Sequence, residues 1–395
     1  MKELIVEYKD DFILLHLKGR IDSNNAPKLE EEVIGVMEQA PGQPVVIDAG
    51  DLEYISSAGL RVLLHIRKKQ SDLTIRNVRS EVYEIFDMTG FTQMMKVEKA
   101  YRVVSVEGCE EIGRGANGTI YRIDQDNVVK VYNNADALEE IQHEREVARI
   151  ALVLGIPTAI SYDVVRVGDS YGSVFELLNA QSFTKIMIDH PERTDWCIKE
   201  YVNLMNRIHE TEVPEGQLPD IKVTAEGWVE FLQDYLPEEA FEKLRSMVHA
   251  IPHDNHMIHG DYHTKNVELV EDEVLLIDMD TLAVGHPIFE LASIYNAYIG
   301  FSEYDKNNIR DFMGLDPEFA AEFWKKALIA FLGTDDPVKY REVEDKARII
   351  GYTRMIRRSI RRGGLEDAAK KAEIDLWTKE LLELLDRTDS LVFER

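Results

Sequence analysis

From Met257 to Asp280 the chain reads MIHGDYHTKNVELVEDEVLLIDMD, with two histidines, an aspartate and an asparagine inside its first half. His259 and His263 are four apart, a step that could bring two imidazoles onto one helix face as zinc ligands. Gly260 disfavours helix between them, and no HExxH glutamate accompanies them. Asp261 and Asn266, five apart, offer a different chemistry. A carboxylate can accept a hydroxyl proton there, beside an amide oxygen able to help hold a hard cation. VELV and VLLI then bracket Glu271-Asp272-Glu273 as a hairpin, which delivers Asp278 beside the loop as a further cation-binding carboxylate. A plain polar turn would account for the hairpin, but not for the polar groups placed upstream of it.

Those groups begin with GRGANG, Gly113 to Gly118. Alone, G-x-G-x-x-G is a weak signal. Here the glycines run into the strand-like TIYRI and not into a helix, so Gly113, Gly115 and Gly118 suit a strand–loop–strand flap over nucleotide phosphates. Lys130 follows inside NVVKVY, where an ammonium needs an acidic partner. The helical stretch ALEEIQHEREVARIALVL offers Glu144 or Glu146, and Glu144, with Val147, Ala148, Ala151 and Leu152 on its side, is preferred. Together with H-x-D-x-x-x-x-N, the ordered set matches the catalytic loop and metal-holding residues of phosphoryl-transfer enzymes.

The elements needed to position this set divide in two. The first hundred residues or so alternate strands and helices: LIVEYKDDFILLHLKG as two strands about an Asp10-Asp11 turn, APKLEEEVIGVMEQA as a helix, QPVVIDAG as a strand. A loop and helix with Ser56 or Ser57 near its N-cap follow, then the strand DLTIRNV and a helix opened by Ser80. This is a compact α/β unit, expected over residues 1–100. Residues 101–395 form the second domain, with strands and one helix from Asp136 to Leu154 in an N-lobe (about 107–178) and a largely helical C-lobe (about 179–395).

Composition sets the outer limits. The 395 residues carry a formal net charge of −27, which argues against nucleic acid and anionic membranes as partners. No apolar run is long enough to span a bilayer. Two cysteines, Cys109 and Cys197, make neither a disulfide framework nor zinc spacing, and a cytoplasmic protein is expected. One basic stripe, RMIRRSIRR from Arg354 to Arg362, reads as a solvated or salt-bridged helix face in preference to an anion site.

HGDYHTKN followed by LLIDMD resembles the aminoglycoside phosphotransferase/choline kinase family, over about Glu107 to Ala292. The resemblance implies a protein-kinase-like α+β fold and ATP and Mg²⁺ as cofactors. Asp261 would be the catalytic aspartate, Asn266 and Asp278 would hold metal, and Lys130 would contact the α- and β-phosphates. His259 would stabilise the loop, while His263 would be structural or substrate-facing. VFELL looks like the adenine-binding hinge, with the backbone of Glu176 to Leu178 facing the base. In AVGHPIFELA, His286 and Glu290 stand where that family usually has aspartates.

GRIDSNNAPKLEEEV, VVIDAGDLEYISSAGLRVLL and EVYEIFDMTGF resemble a STAS domain, the fold of anti-sigma factor antagonists. By that resemblance Ser57 is the candidate phosphoacceptor, although Ser56 replaces the usual preceding aspartate. A protein partner is implied, and a homodimer is left open. The expected function is transfer of the γ-phosphoryl group of ATP to a hydroxyl of a small molecule: a sugar, amino alcohol or aminoglycoside-like compound. Acidic residues among the helices after Phe183 could receive a cationic acceptor. Two rivals stand beside it: a signalling kinase acting on Ser57 or another protein, and a nucleotide-binding scaffold without catalysis.

Overall fold

The computed structural model describes residues 3–394 except 116 and 136. Ala116 of GRGANG and Asp136 therefore lie outside the described residues. The chain divides into two compact units: residues 1–107 with 164–171, and residues 108–163 with 172–395.

In the first unit, β1 (Leu4–Tyr8) and β2 (Ile13–Ile21) pair antiparallel about the Asp10-Asp11 turn. β3 (Val45–Ile55), β4 (Thr74–Val78) and β5 (Lys96–Lys99) then add in parallel, in the order β1-β2-β3-β4-β5. Parallel neighbours require crossovers. These are α1 (Ala26–Gln39), α2 (Ser57–Lys69), and α3 (Ser80–Met88) with the short α4 (Phe91–Met94). β3 runs on through Asp51–Ile55, where the sequence suggests a loop. β2 continues beside it to Ile21, so those backbone groups keep partners, and Leu52 and Ile55 are buried. In α2, Gly59, Leu60, Val62, Leu63 and Ile66 form the buried stripe. Ser56 is its N-cap, its hydroxyl accepting from Ala58 N at 3.2 Å and Gly59 N at 3.5 Å, which leaves Ser57 as the exposed first helical residue. Ser80 is likewise a first helical residue and makes no cap; Arg79 precedes it.

The second unit opens with three antiparallel strands, Glu110–Arg114, Gly118–Arg122 and Asn127–Tyr132, and the last of these pairs antiparallel with Ser170–Glu176. Within GRGANG, Gly113 and Arg114 end the first strand and Gly118 begins the second, with Gly115 N donating to Gly118 O at 2.9 Å. The helix Leu138–Val153 follows, with Ile141, Val147, Ala148 and Ala151 buried, whereas Leu152 is exposed because the helical period has carried it off that face. The remainder is helical around one large apolar core, interrupted by the strand pair Met257–Ile258 and Ala283–Val284 and by the hairpin Val267–Val270/Glu273–Leu276. The hairpin turn is two residues, with Glu271 at φ 54° and Glu273 already paired to Val270. Among the described residues no helix is long and apolar enough to cross a membrane.

Gly118 is required by close approach. A Cβ there would lie 2.3 Å from Val131 O of the paired strand, while one on Gly115 would meet nothing nearer than 3.9 Å. Gly118→Ala should therefore destabilise this unit by about 1–3 kcal/mol through overpacking. Gly115→Ala should leave its thermal unfolding unchanged, and melting curves of the two variants check the contrast.

Candidate functional site

The loop from His259 to Asn266 leaves the strand Met257–Ile258. Gly260 has φ 82°, and a Cβ there would sit 2.7 Å from Thr281 O, so only glycine permits the turn. Its backbone is held by side chains from several helices. Glu290, fully buried in the helix Ile288–Tyr298, accepts from His259 N at 2.5 Å and Gly260 N at 2.9 Å. Burial opposes ionisation of that carboxyl, yet His209, whose Nε2 lies 3.7 Å away, and the loop donors hold its pKa below the ordinary value. Gly260 O accepts from Ser293 Oγ at 2.8 Å and Arg354 Nη1 at 3.0 Å. Tyr262 and Tyr201 donate reciprocally to each other's carbonyls at 2.8 and 2.9 Å, and Tyr298 Oη accepts from Thr264 N at 3.0 Å.

His259 is buried inside this frame. Asp261 N donates to its Nδ1 at 3.3 Å, so Nε2 carries the hydrogen that faces Ile277 O at 3.3 Å. Asn266 spends its amide nitrogen on Asp261 O at 3.0 Å, leaving its carbonyl oxygen for the cavity it lines. Burial would raise the Asp261 pKa, but His263 (Nε2 at 3.7 Å), with Arg354 adding to it, brings it down to about 2. Asp261 is thus a carboxylate throughout the physiological range. His286 Nδ1 accepts from Ile288 N at 3.1 Å, as a neutral imidazole can, and burial lowers its pKa.

A cavity of about 270 Å³ is lined by Gly115, Gly118, Lys130, Glu144, Asn266 and Asp278, among others. Lys130 and Val128 share one face of their strand and both line it. Lys130 Nζ donates to both oxygens of Glu144, at 2.9 and 3.0 Å, and lies 3.8 Å from Asp278 Oδ1. Glu146 pairs instead with Arg149 at 2.6 Å. Desolvation alone would lower the Lys130 pKa, but Glu144 and Asp278 raise it. Tyr132 donates to Glu144 Oε2 at 2.6 Å. Asp278 holds a left-handed backbone, φ 63°, a conformation aspartate tolerates better than most residues. Gly113, Glu176 and Leu178 are not among the lining residues, and Leu177 N is committed to Asp126 O at 2.7 Å.

Asp261 lines a second cavity of about 680 Å³, among the helices Ile288–Tyr298, Asn307–Met313, Pro337–Arg361 and Ala368–Arg387. The loop therefore has Asp261 in one cavity and Asn266 in the other. Arg354, Arg358 and Arg362 of the basic stripe line the second cavity, so that stripe is more than a solvated face. Among the described residues no group of three His, Cys, Asp or Glu could hold a metal ion.

Asp280 is a member that sequence reasoning passed over, although it lies two residues beyond Asp278 in IDMD. It accepts from Asn117 Nδ2 at 3.3 Å. Burial, then Asp278 and Glu144, push its pKa up to about 7, with Lys130 opposing. Its folded pKa exceeds the unfolded one, so its stabilising share is complete below the unfolded value and is lost as pH rises toward 7. Asp280→Asn should melt above the wild type at pH 8, with the gap shrinking as pH falls from 7 toward 4. Glu290→Gln turns an NH₂ toward one of two buried N–H donors and should cost about 1–3 kcal/mol in urea unfolding.

Two family models match the chain: the STAS domain over residues 3–104 and the phosphotransferase enzyme family over residues 108–338. In the first region the chain is 34% identical over 99 residues to BtrV of Bordetella bronchiseptica, which is named as an anti-sigma factor antagonist; the match takes in 24% of this chain and 84% of that protein. It is 27% identical over 96 residues to the anti-sigma-B factor antagonist of Bacillus subtilis, covering 23% and 86%. Solved structures that it resembles include the GDP and kanamycin complex of the aminoglycoside phosphotransferase APH(2″)-IIIa, at 14% identity and TM-score 0.45, covering 77% of this chain and 97% of that one. A choline/ethanolamine kinase family protein from Mesorhizobium loti matches at 13% identity and TM-score 0.46, covering 70% and 88%. Membership rests on the family models and not on these distant structures. The fold expected from the sequence, a STAS-type α/β domain before a kinase-like α+β domain with a helical C-lobe, is the fold of the chain. The chain belongs to the phosphotransferase enzyme family and carries an N-terminal STAS domain.

Proposed function

We propose that this phosphotransferase moves the γ-phosphoryl group of ATP to a hydroxyl of a small molecule, with the STAS domain serving regulation or association with a protein partner. The observation that carries the reading is the loop between the two cavities: Asn266 and Asp278 line the cavity that also holds Lys130 and Glu144, while Asp261 faces the other. ATP would occupy the first cavity beneath the turn of GRGANG, with Lys130, oriented by Glu144 and Tyr132, against its α- and β-phosphates. The base would sit toward the backbone of Glu176 to Leu178, and an ATP donor accords with a cytoplasmic protein.

Asn266 and Asp278 are oxygen donors suited to Mg²⁺, which prefers one or two carboxylate or carbonyl ligands and completes its shell with water and phosphate. The cation would supply charge neutralisation of the phosphates. Asp261, anionic at neutral pH, would accept a hydrogen bond from the acceptor hydroxyl and aim its oxygen at the γ-phosphorus. The new O–P bond forms as the bond from that phosphorus to the leaving ADP oxygen breaks, and the hydroxyl proton passes to Asp261. A carboxylate with so low a pKa is a weak base, so its main contribution is orientation, in keeping with a transfer catalysed chiefly by positioning and electrostatics. His259 acts indirectly, by holding the loop.

A second reading, transfer to Ser57, has one observation in its favour: Ser56 makes the cap, so the Ser57 hydroxyl is not needed by α2. With γ-labelled ATP, a metabolite library and mass spectrometry of small molecules and protein, label in a small molecule supports the first reading and label only on Ser57 the second. Asp261→Asn should lower transfer about 10²–10⁴-fold while leaving nucleotide affinity unchanged in calorimetry. Retained transfer would remove Asp261 from the mechanism.

A further inference from the structure

We propose that the hydroxyl acceptor is an anionic small molecule, a phosphate ester or a carboxylate, whose acid group is seated by Arg358 and Arg362 while Asp261 holds its hydroxyl. This rests on the reading of Asp261 given above, and it reverses the cationic acceptor that the sequence suggests.

The first ground is charge pairing. Arg348, on the same helix, is compensated by Glu380 at 2.7 Å, and Arg387 by Asp345 at 3.0 Å. Arg354, Arg358 and Arg362 line the cavity, and among the described residues none has a carboxylate oxygen within 4.0 Å. Lys370, the other cation in the wall, is taken by Glu373 at 2.9 Å. Among the described residues that leaves Asp311 as the one further carboxylate in the wall besides Asp261 and the paired Glu373. Three guanidinium groups against Asp261 and Asp311 leave the cavity net positive in a chain whose formal charge is −27. Burial and the like charges of Arg362 and Arg354 depress the Arg358 pKa, whereas Asp261 raises it, so the group sits in a positive field. A helix C-terminus favours cations in its last turn. That accounts for Arg358 and Arg361, but not for Arg354, which lies further in.

The second ground is the rest of the lining. Asn296 and Ser302, both buried, belong to the same wall, where Asn296 is turned to the helix behind it, Nδ2 donating to Gly351 O at 3.1 Å. Phe301, Phe312 and Trp377 provide an apolar wall.

Spacing then sets the acceptor's size. Arg354 is bonded to the loop at Gly260 O, and Arg358 and Arg362 follow at steps of four residues, each about 6 Å along a helix. An acid group held there lies roughly 6–12 Å from the hydroxyl at Asp261, the span of a sugar phosphate or sugar acid. An aminoglycoside would bring its ammonium groups against the arginines.

The test uses the full chain with a non-hydrolysable ATP analogue and Mg²⁺, and reads Trp377 fluorescence, with Trp377→Phe identifying the signal. The panel comprises sugar phosphates, sugar acids, the matching neutral sugars, and aminoglycosides with amino alcohols; γ-labelled ATP then shows which binders accept phosphate. Saturable binding and labelling of an anionic member are expected, with affinity falling at least tenfold in the double variant Arg358→Gln/Arg362→Gln. The phosphate and carboxylate arms tell which acid group is preferred. Preference for neutral or cationic compounds, anion binding indifferent to the double variant, or no response to any anion would each overturn the proposal. Failure of the nucleotide itself to bind would strike the phosphotransferase mechanism instead, and this proposal with it.

Discussion

The carboxylate of Glu290 is the constraint on which the rest of the site depends. An anion buried this completely is tolerated only if its lone pairs are used. Here they meet two consecutive backbone N–H groups, His259 and Gly260, one on each carboxylate oxygen, and Gly260 then turns the chain with a left-handed backbone. That turn sends Asp261 into one cavity and lets the chain come round to put Asn266 into the other. Glu290 sits in a helix whose every residue is buried, so the loop is referenced to the rigid core of the domain and not to its surface.

Opposed charges do the corresponding work in the first cavity. Lys130 stands between Glu144 and Asp278, with Asp280 close by. One lysine faces three carboxylates, and burial, with the neighbouring carboxylates Asp278 and Glu144 adding to it, raises the pKa of Asp280. A cation brought by a polyphosphate would add the opposite charge beside these carboxylates. The second cavity has the reverse imbalance, an excess of guanidinium, and the two adjoin at the loop. A donor rich in phosphate on one side and an acidic acceptor on the other would each find the field suited to it.

Much of this was legible in order along the chain. The five-residue step from Asp261 to Asn266, the hairpin before Asp278, and a lysine inside a β-branched strand are local patterns, and local patterns survive without an alignment. Glu144 was separable from Glu146 because helical period puts it with buried neighbours. Asp280 was missed because nothing in its sequence surroundings distinguishes a carboxylate buried beside Asp278 and bonded by Asn117 from one in solvent. The basic stripe was underrated for a similar reason: periodicity says that Arg354 and Arg358 share a face, not what that face meets.

By itself, then, the sequence determined the two-domain order, the glycine-rich hairpin before Lys130 and the loop from His259 to Asn266 with its following hairpin, because each depends on spacing along one segment. Tertiary structure alone decided that Glu290 anchors the loop, that Ser56 and not Ser57 caps its helix, and that Arg354, Arg358 and Arg362 line the cavity beside Asp261. Those outcomes depend on which distant side chains share a burial site, and desolvation and pairing act through space, where sequence distance carries no information.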